Sequence, residues 1–190
     1  MSRFKLEKTP IDDLFIITRI PLSDERGYLE RLFCKSDLEN YFEEKSIIQI
    51  NHTSTSGKGS VRGLHYQNPP YCETKVVSCL KGRIFDVAVD IRKDSPTFLK
   101  YFGIELTDKN FTSLLIPEGF AHGFQVLDDE CELIYFHTCE YAPNFESGID
   151  AYDPAINIKW PIEISFRSPR DSSHDRINDN FYGIDLSEMS

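Results

Sequence analysis

The chain has 190 residues, a net charge of -10, 40% hydrophobic residues, and 14 Phe beside 9 Tyr. Those proportions describe one folded domain over residues 1–190 with a substantial core, and they exclude a disordered acidic tail. The excess of acids leaves little composition for a nucleic-acid face or a surface that binds anionic membrane, so any anionic ligand has to meet a local basic pocket.

No stretch approaches the roughly 20 apolar residues that cross a bilayer, and the N-terminus lacks the apolar core of a secretion signal. A cytoplasmic location is the expectation. The 5 Cys are odd in number and form no C-x-x-C pair, which points to reduced, packed thiols rather than a disulfide framework or a zinc knuckle.

In chain order, the first β-branched and aromatic run is 14–20. It is followed by Ser36-Asp-Leu-Glu39, which reads as a capping box that starts a short helix with Leu38, Tyr41 and Phe42 on one packing stripe. A strand is expected at 46–50, then a glycine-rich segment from Gly57 to Gly63. That segment fits neither the dinucleotide fingerprint nor the P-loop and reads as a flexible turn. Further strands are expected at 75–80, 84–91, 102–106, 112–116 and 132–137. Between them, Lys81-Gly82 suggests a tight hairpin, Asp94-Ser-Pro96 a Pro-initiated turn and Asp128-Asp129 an acidic turn tip. The cadence is that of an all-β sandwich or barrel. Alternation along 84–91 puts Ile84, Asp86, Ala88 and Asp90 on one side. That acidic line faces either water or a polar barrel lumen.

Two segments carry histidines beside glycines: Val61-Arg-Gly-Leu-His-Tyr-Gln67 and Ile116-Pro-Glu-Gly-Phe-Ala-His-Gly-Phe124. Together they resemble the two signature segments of the cupin barrel, in which imidazoles and a carboxylate bind one metal. The second fits through Pro117, Gly119 and His122. In the first, Tyr66 and Gln67 follow His65, so the second histidine of the metal set is missing, and no metal and no cofactor are expected.

Adding Asp24-Glu-Arg-Gly27, Gln49-Ile-Asn-His52, Phe85 to Arg92 with Ser95-Pro-Thr-Phe98, Tyr141-Ala-Pro143, Asp153-Pro154 and Trp160-Pro161, most of the chain resembles the dTDP-4-dehydrorhamnose 3,5-epimerase family. The resemblance implies a double-stranded β-helix (a jelly roll) with a few short helices. It also implies a homodimer with an exchanged N-terminal strand, acting without cofactor on a nucleotide-linked 4-keto-6-deoxyhexose.

Removing a proton beside a ketone needs a base, stabilisation of the enolate oxygen, and an acid on the opposite face if configuration is to invert. The resemblance assigns the base to His65, its orienting carboxylate to Asp171, the oxyanion-stabilising cation to Lys75 and the acid to Tyr135. An imidazole suits the first role because this side chain titrates in the neutral range. Asp86 is expected to hold Lys75 from a neighbouring strand. Asp24, Arg26 and Tyr28 are expected to reach the partner's ligand, with Gln49, Asn51, Arg62 and Tyr141 binding substrate and His122 lining the pocket or supporting the base. Arginine forks suit diphosphate oxygens. Departures from the family pattern at Glu30-Arg31, at Ser78, from Asn68 to Cys72 and at Glu140 leave open the nucleotide, the sugar and whether C3, C5 or both invert. Two other functions fit some of these residues: a metal-dependent cupin using His65, Gln67 and His122, and a non-catalytic nucleotide-sugar binding module.

Overall fold

The computed structural model describes residues 2–42 and 45–189. Its strands are β1 (Phe4–Lys8), β2 (Phe15–Arg19), β3 (Leu22–Asp24), β4 (Gly27–Leu29), β5 (Gln49–Ser56), β6 (Val61–Gln67), β7 (Lys75–Lys81), β8 (Arg83–Asp90), β9 (Tyr101–Thr107), β10 (Thr112–Ile116), β11 (Phe120–Val126), β12 (Glu130–His137) and β13 (Glu146–Gly148). The helices α1 (Lys35–Leu38) and α2 (Pro169–Ser172) are one turn each. No helix among the described residues is long and apolar enough to cross a membrane.

One sheet has the order β1-β2-β10-β7-β12-β5, and the other has β13-β6-β11-β8-β9. Every neighbouring pair is antiparallel. From β5 onward the chain alternates between the sheets, staying on one side only for β8 and β9. This is the jelly-roll, cupin-like β-helix that the resemblance implied.

The alternation has a consequence for the turns. Gly82 has φ +75° and turns the chain as expected, but β7 and β8 lie in different sheets. Lys81-Gly82 is therefore a corner, not a paired hairpin. The turn at Asp128-Asp129 likewise hands the chain from β11 to β12 across the sandwich, and Gly57 donates its N–H to the Asp129 carbonyl at 2.8 Å. The turn at Ser95-Pro96 closes as read, with the Phe98 N–H donating to the Ser95 carbonyl at 3.1 Å.

From Asp86 onward neither face of β8 meets water. Ile84 and Ala88 join Leu114, Ile116, Phe124 and Leu133 between the sheets, whereas Val87, Val89 and Ile91 pack under the C-terminal segment with Ile156 and Ile184. The acidic line of β8 thus points inward, and Asp86 and Asp90 are fully buried. A third cluster, including Phe4, Ile17, Leu38, Phe42 and Phe136, covers the outside of the larger sheet. Each such side chain contributes on the order of 1.5–3 kcal/mol when buried. Cys72, Cys79 and Cys131 are buried and all five thiols are free. Burial pushes the Cys72 and Cys79 thiols up to about 12.

Three readings need correction. The helix begins two residues before the expected box: Cys34 is the N-cap with no side-chain cap bond, and its carbonyl accepts from Asp37 and Leu38. Ser36 therefore sits inside the helix, although Leu38 and Phe42 pack as anticipated. The strand expected at 46–50 is β5, displaced to 49–56, because its inward positions are polar and read as loop. The glycine-rich turn ends at Ser60, and Gly63 belongs to β6. β6 and β11 approach closely there: a Cβ on Gly63 would lie 2.7 Å from Gly123 Cα and from the His122 carbonyl oxygen, at a φ of +111°. Gly63→Ala is expected to lower stability by roughly 1–3 kcal/mol through strain and overpacking, measured as a lower urea midpoint with an unchanged slope.

Candidate active site

Between the sheets lies a cavity of about 280 Å³. His65, on β6 of the smaller sheet, faces it from one side. Lys75 at the start of β7, with Tyr135 and His137 on β12, faces it from the larger sheet. Successive inward positions on β12 explain the pairing of Tyr135 and His137, which stack at 5.9 Å and 15°.

His65 Nε2 donates to Asp171 Oδ1 at 2.9 Å, so in the neutral imidazole the other ring nitrogen is the one able to accept a proton. Asp171 is held in turn by α2. Its N–H donates to the Ser168 hydroxyl at 3.0 Å, and its Oδ2 accepts from the Gly63 N–H at 3.1 Å. Burial alone would raise this carboxyl, but the bonds and charge of His65 and the Gly63 N–H outweigh it and hold it well below the usual carboxylate range. Arg170 Nη2 stands 3.0 Å from His65 Nε2. A guanidinium has no acceptor, so this contact places positive charge beside the dyad without taking the imidazole proton.

His122 Nε2 bonds to Asp86 Oδ1 at 2.8 Å, and both residues are buried. Lys75 Nζ lies 2.6 Å from Glu73 Oε1, and Glu73 Oε2 accepts from His137 Nδ1 at 2.7 Å. Burial would raise Glu73, but Lys75 and His137 bring it down to about 2. Tyr135 is pushed far up, first by burial and then by the Asp86 carboxylate, so its phenol keeps its proton. The expected Asp86–Lys75 pair is therefore not formed. Asp86 belongs to β8, which pairs with β11 in the smaller sheet, whereas Lys75 is in the larger one beside its own loop. The corner at Gly82 separates them.

Gln49, Asn51, Arg62 and Tyr141 also line the cavity. Arg62 Nε donates to Thr55 Oγ1 at 2.8 Å, and the Tyr141 N–H donates to Gln49 Oε1 at 3.0 Å. Asp24, Arg26 and Tyr28 are not brought there: they lie on the exposed β3–β4 hairpin, where Arg26 pairs with Asp24. His122 lines the cavity but is bonded to Asp86, not to His65. Glu73, His137, Glu146 and Arg170 are lining residues that sequence reading left unassigned. His137 lies two places beyond Tyr135 on β12 and shares its face, a signal that alternation carries, whereas Glu73 sits in a loop and Arg170 in a one-turn helix with no periodic signal.

The donor set of a metal-binding cupin does not converge here. His65 and His122 are committed to carboxylates, and Gln67 spends its amide on the carbonyls of Tyr71 and Glu140 and on the Ala142 N–H. One other cluster, His65, Asp171 and His174, has ligand atoms within 4.8 Å of one another, but the Arg170 guanidinium stands over it.

A family model described as dTDP-4-dehydrorhamnose 3,5-epimerase matches residues 8–179. The chain belongs to that family. It is 44% identical over 178 residues to the dTDP-4-dehydrorhamnose 3,5-epimerase of Shigella flexneri, covering 93% of this chain and 98% of that one. Among solved structures it is similar to the RmlC epimerase of Legionella pneumophila in complex with dTDP-4-keto-L-rhamnose, with TM-score 0.86, 38% identity, and 91% and 92% of the two chains covered. It is also similar to ChmJ, a 3'-monoepimerase of Streptomyces bikiniensis in complex with dTDP-quinovose, with TM-score 0.80, 27% identity, and 95% and 87% covered.

In this member of the epimerase family, the depressed Asp171 makes a pH signature predictable. An unfolded aspartate titrates near 3.9, so the stabilisation from the native ion pair is full above that pH and is lost as the pH falls towards the lower native value. Asp171→Asn is expected to be less stable than the parent by about 1–3 kcal/mol at pH 7, with the gap narrowing below about pH 4, as read by urea unfolding at both pH values.

Proposed function

We propose that the chain is an isomerase that epimerises a dTDP-linked 4-keto-6-deoxyhexose, inverting C3, C5 or both through an enolate and without a cofactor. The observation that carries this reading is the opposition of His65, backed by Asp171, and a protonated Tyr135 across one cavity, with the Lys75 ammonium beside the tyrosine. The dTDP-keto-sugar complex of the Legionella relative supports the choice of substrate.

Both C3 and C5 flank the C4 ketone, so a proton on either is acidic once the enolate oxygen is stabilised. His65 takes the proton and becomes an imidazolium, which Asp171 stabilises. Negative charge collects on O4, where Lys75 favours the enolate over the starting ketone. Tyr135, on the opposite sheet, returns a proton to the other face of the ring, which inverts the centre. Its buried phenol holds that proton at neutral pH. Arg62 binds the diphosphate, while Gln49, Asn51 and Tyr141 hold the nucleotide and sugar. Asp86 keeps His122 in place at the cavity wall.

The same reading makes the protein a homodimer with an exchanged N-terminal strand, in which Asp24, Arg26 and Tyr28 complete the partner's site. Supporting it, Leu22, Tyr28 and Leu29 on the hairpin and Ile48 and Ile50 at the edge strand β5 are all more than half exposed, and an open apolar edge invites pairing. Five free thiols suit a reducing, cytoplasmic compartment.

Incubation of dTDP-4-keto-6-deoxyglucose with the protein in D2O is expected to erase the C3 and C5 proton signals. Persistence of both would overturn the reading. His65→Asn and Tyr135→Phe are expected to lower kcat by about 10²–10⁴ with the far-ultraviolet spectrum unchanged, and an unimpaired His65→Asn would remove the base assignment. Sedimentation velocity at micromolar concentration is expected to give a dimer, and a fully active monomer would rule out a ligand role for Asp24, Arg26 and Tyr28 across an interface.

A further inference from the structure

The wall that carries Tyr135 holds a continuous polar chain across three adjacent strands. Asn51 on β5 lies with its Nδ2 3.3 Å from His137 Nε2 on β12. His137 Nδ1 is 2.7 Å from Glu73 Oε2, and Glu73 Oε1 is 2.6 Å from Lys75 Nζ on β7. Donor and acceptor chemistry fixes the direction. An ionised carboxylate only accepts, so His137 Nδ1 donates to Glu73, and when the ring is neutral its Nε2 accepts from the Asn51 amide. The strand register builds the chain: Asn51 is opposite Tyr135, and His137 is opposite Lys75. His137 and Lys75 are buried, and the Glu73 side chain is nearly so.

A lysine side chain has four rotatable bonds and an ammonium that shifts its proton readily when buried without a partner. In this cavity its freedom is removed by one carboxylate, and that carboxylate is itself fixed at its second oxygen. Two of the three ammonium N–H donors remain for a ligand oxygen.

We infer that Glu73 and His137 are positioning residues for Lys75: Glu73 aims the ammonium into the cavity and preserves its charge, and His137 locks Glu73 in the orientation that does so. This rests on the reading of Lys75 as the group that stabilises the enolate. His137 also stacks on Tyr135 at 5.9 Å, so one hydrogen-bonded unit touches both the cation and the acid. The titratable and charged groups that line the cavity with Lys75 are Glu73 from its own loop, His137 and Tyr135 from β12, Arg62, His65 and Tyr66 from β6, His122 from β11, and Tyr141, Glu146 and Arg170.

The test compares Glu73→Gln, Glu73→Asp, His137→Gln, His137→Leu and Lys75→Met in the deuterium wash-in assay. Each variant is followed for kcat, KM, the pH profile of kcat and the thermal midpoint. For Glu73→Gln, kcat is expected to fall about 10- to 100-fold with KM within about twofold. Its basic limb is expected to move to lower pH, because a buried ammonium without its counter-ion loses its proton more easily. Glu73→Asp and His137→Gln, which keep a carboxylate and an N–H donor respectively, are expected to recover part of the rate that Glu73→Gln and His137→Leu lose. Wild-type kcat and pH profile in Glu73→Gln, with Lys75→Met inactive, would overturn the positioning role alone. A fall in kcat that tracks a fall in thermal midpoint with an unmoved basic limb would also overturn it, as a purely structural effect. Wild-type kcat in Lys75→Met would overturn the role given to the lysine, and the positioning role with it.

Discussion

The constraint on which this structure turns is the burial of charge between two sheets. A β-sandwich normally fills that space with apolar side chains, and a charge placed there is costly unless it is paired and hydrogen-bonded. Here each imidazole of the cavity has its own carboxylate: His65 with Asp171, His122 with Asp86, and His137 with Glu73. Glu73 also pairs with Lys75. Pairing of this kind lets a small protein keep a polar interior without losing the apolar core, because the apolar clusters are displaced to the closed end of the sandwich and to the two outer faces.

The three pairs differ in what holds the carboxylate, and that difference separates their roles. Asp171 comes from a one-turn helix in the C-terminal segment and bonds both the imidazole and the backbone of β6, so the segment is tied to the strand that carries the base. Asp86 is fixed within its own sheet and retains an oxygen with no protein partner. Its charge helps keep the nearby Tyr135 phenol protonated. Glu73 lies in an irregular loop and shares its two oxygens between a cation and an imidazole. A base, an acid and a cation can then sit in one cavity in different protonation states, because each meets a different local field.

Much of the site is legible in the sequence. His65 and His122 stand in motifs long enough to carry a family resemblance, which also named Lys75, Tyr135 and Asp171, and alternation along β8 put Asp86 on one face of its strand without deciding whether that face met water or the lumen. Two kinds of information were missing. β5 was displaced because its inward residues are Gln, Asn and Thr, which a hydrophobic pattern scores as loop although they face a polar cavity. The partner of Lys75 was misread because a short Gly-containing turn between two strands implies a hairpin, whereas a jelly roll uses the same turn to change sheets.

The sequence by itself determined the strand-rich composition, which residues of a recognised strand share a face, and the chemical types available for proton transfer, since these depend on periodicity and on side-chain chemistry alone. The family resemblance already paired Asp171 with His65, but only the tertiary structure decided that Asp86 meets His122, that Glu73 meets both His137 and Lys75, and that Arg170 returns from the C-terminal segment to the same dyad. The physical reason is that alternation between sheets makes neighbours in space out of residues far apart in the chain. His65 and Asp171 are 106 positions apart, and no local pattern encodes a contact of that span.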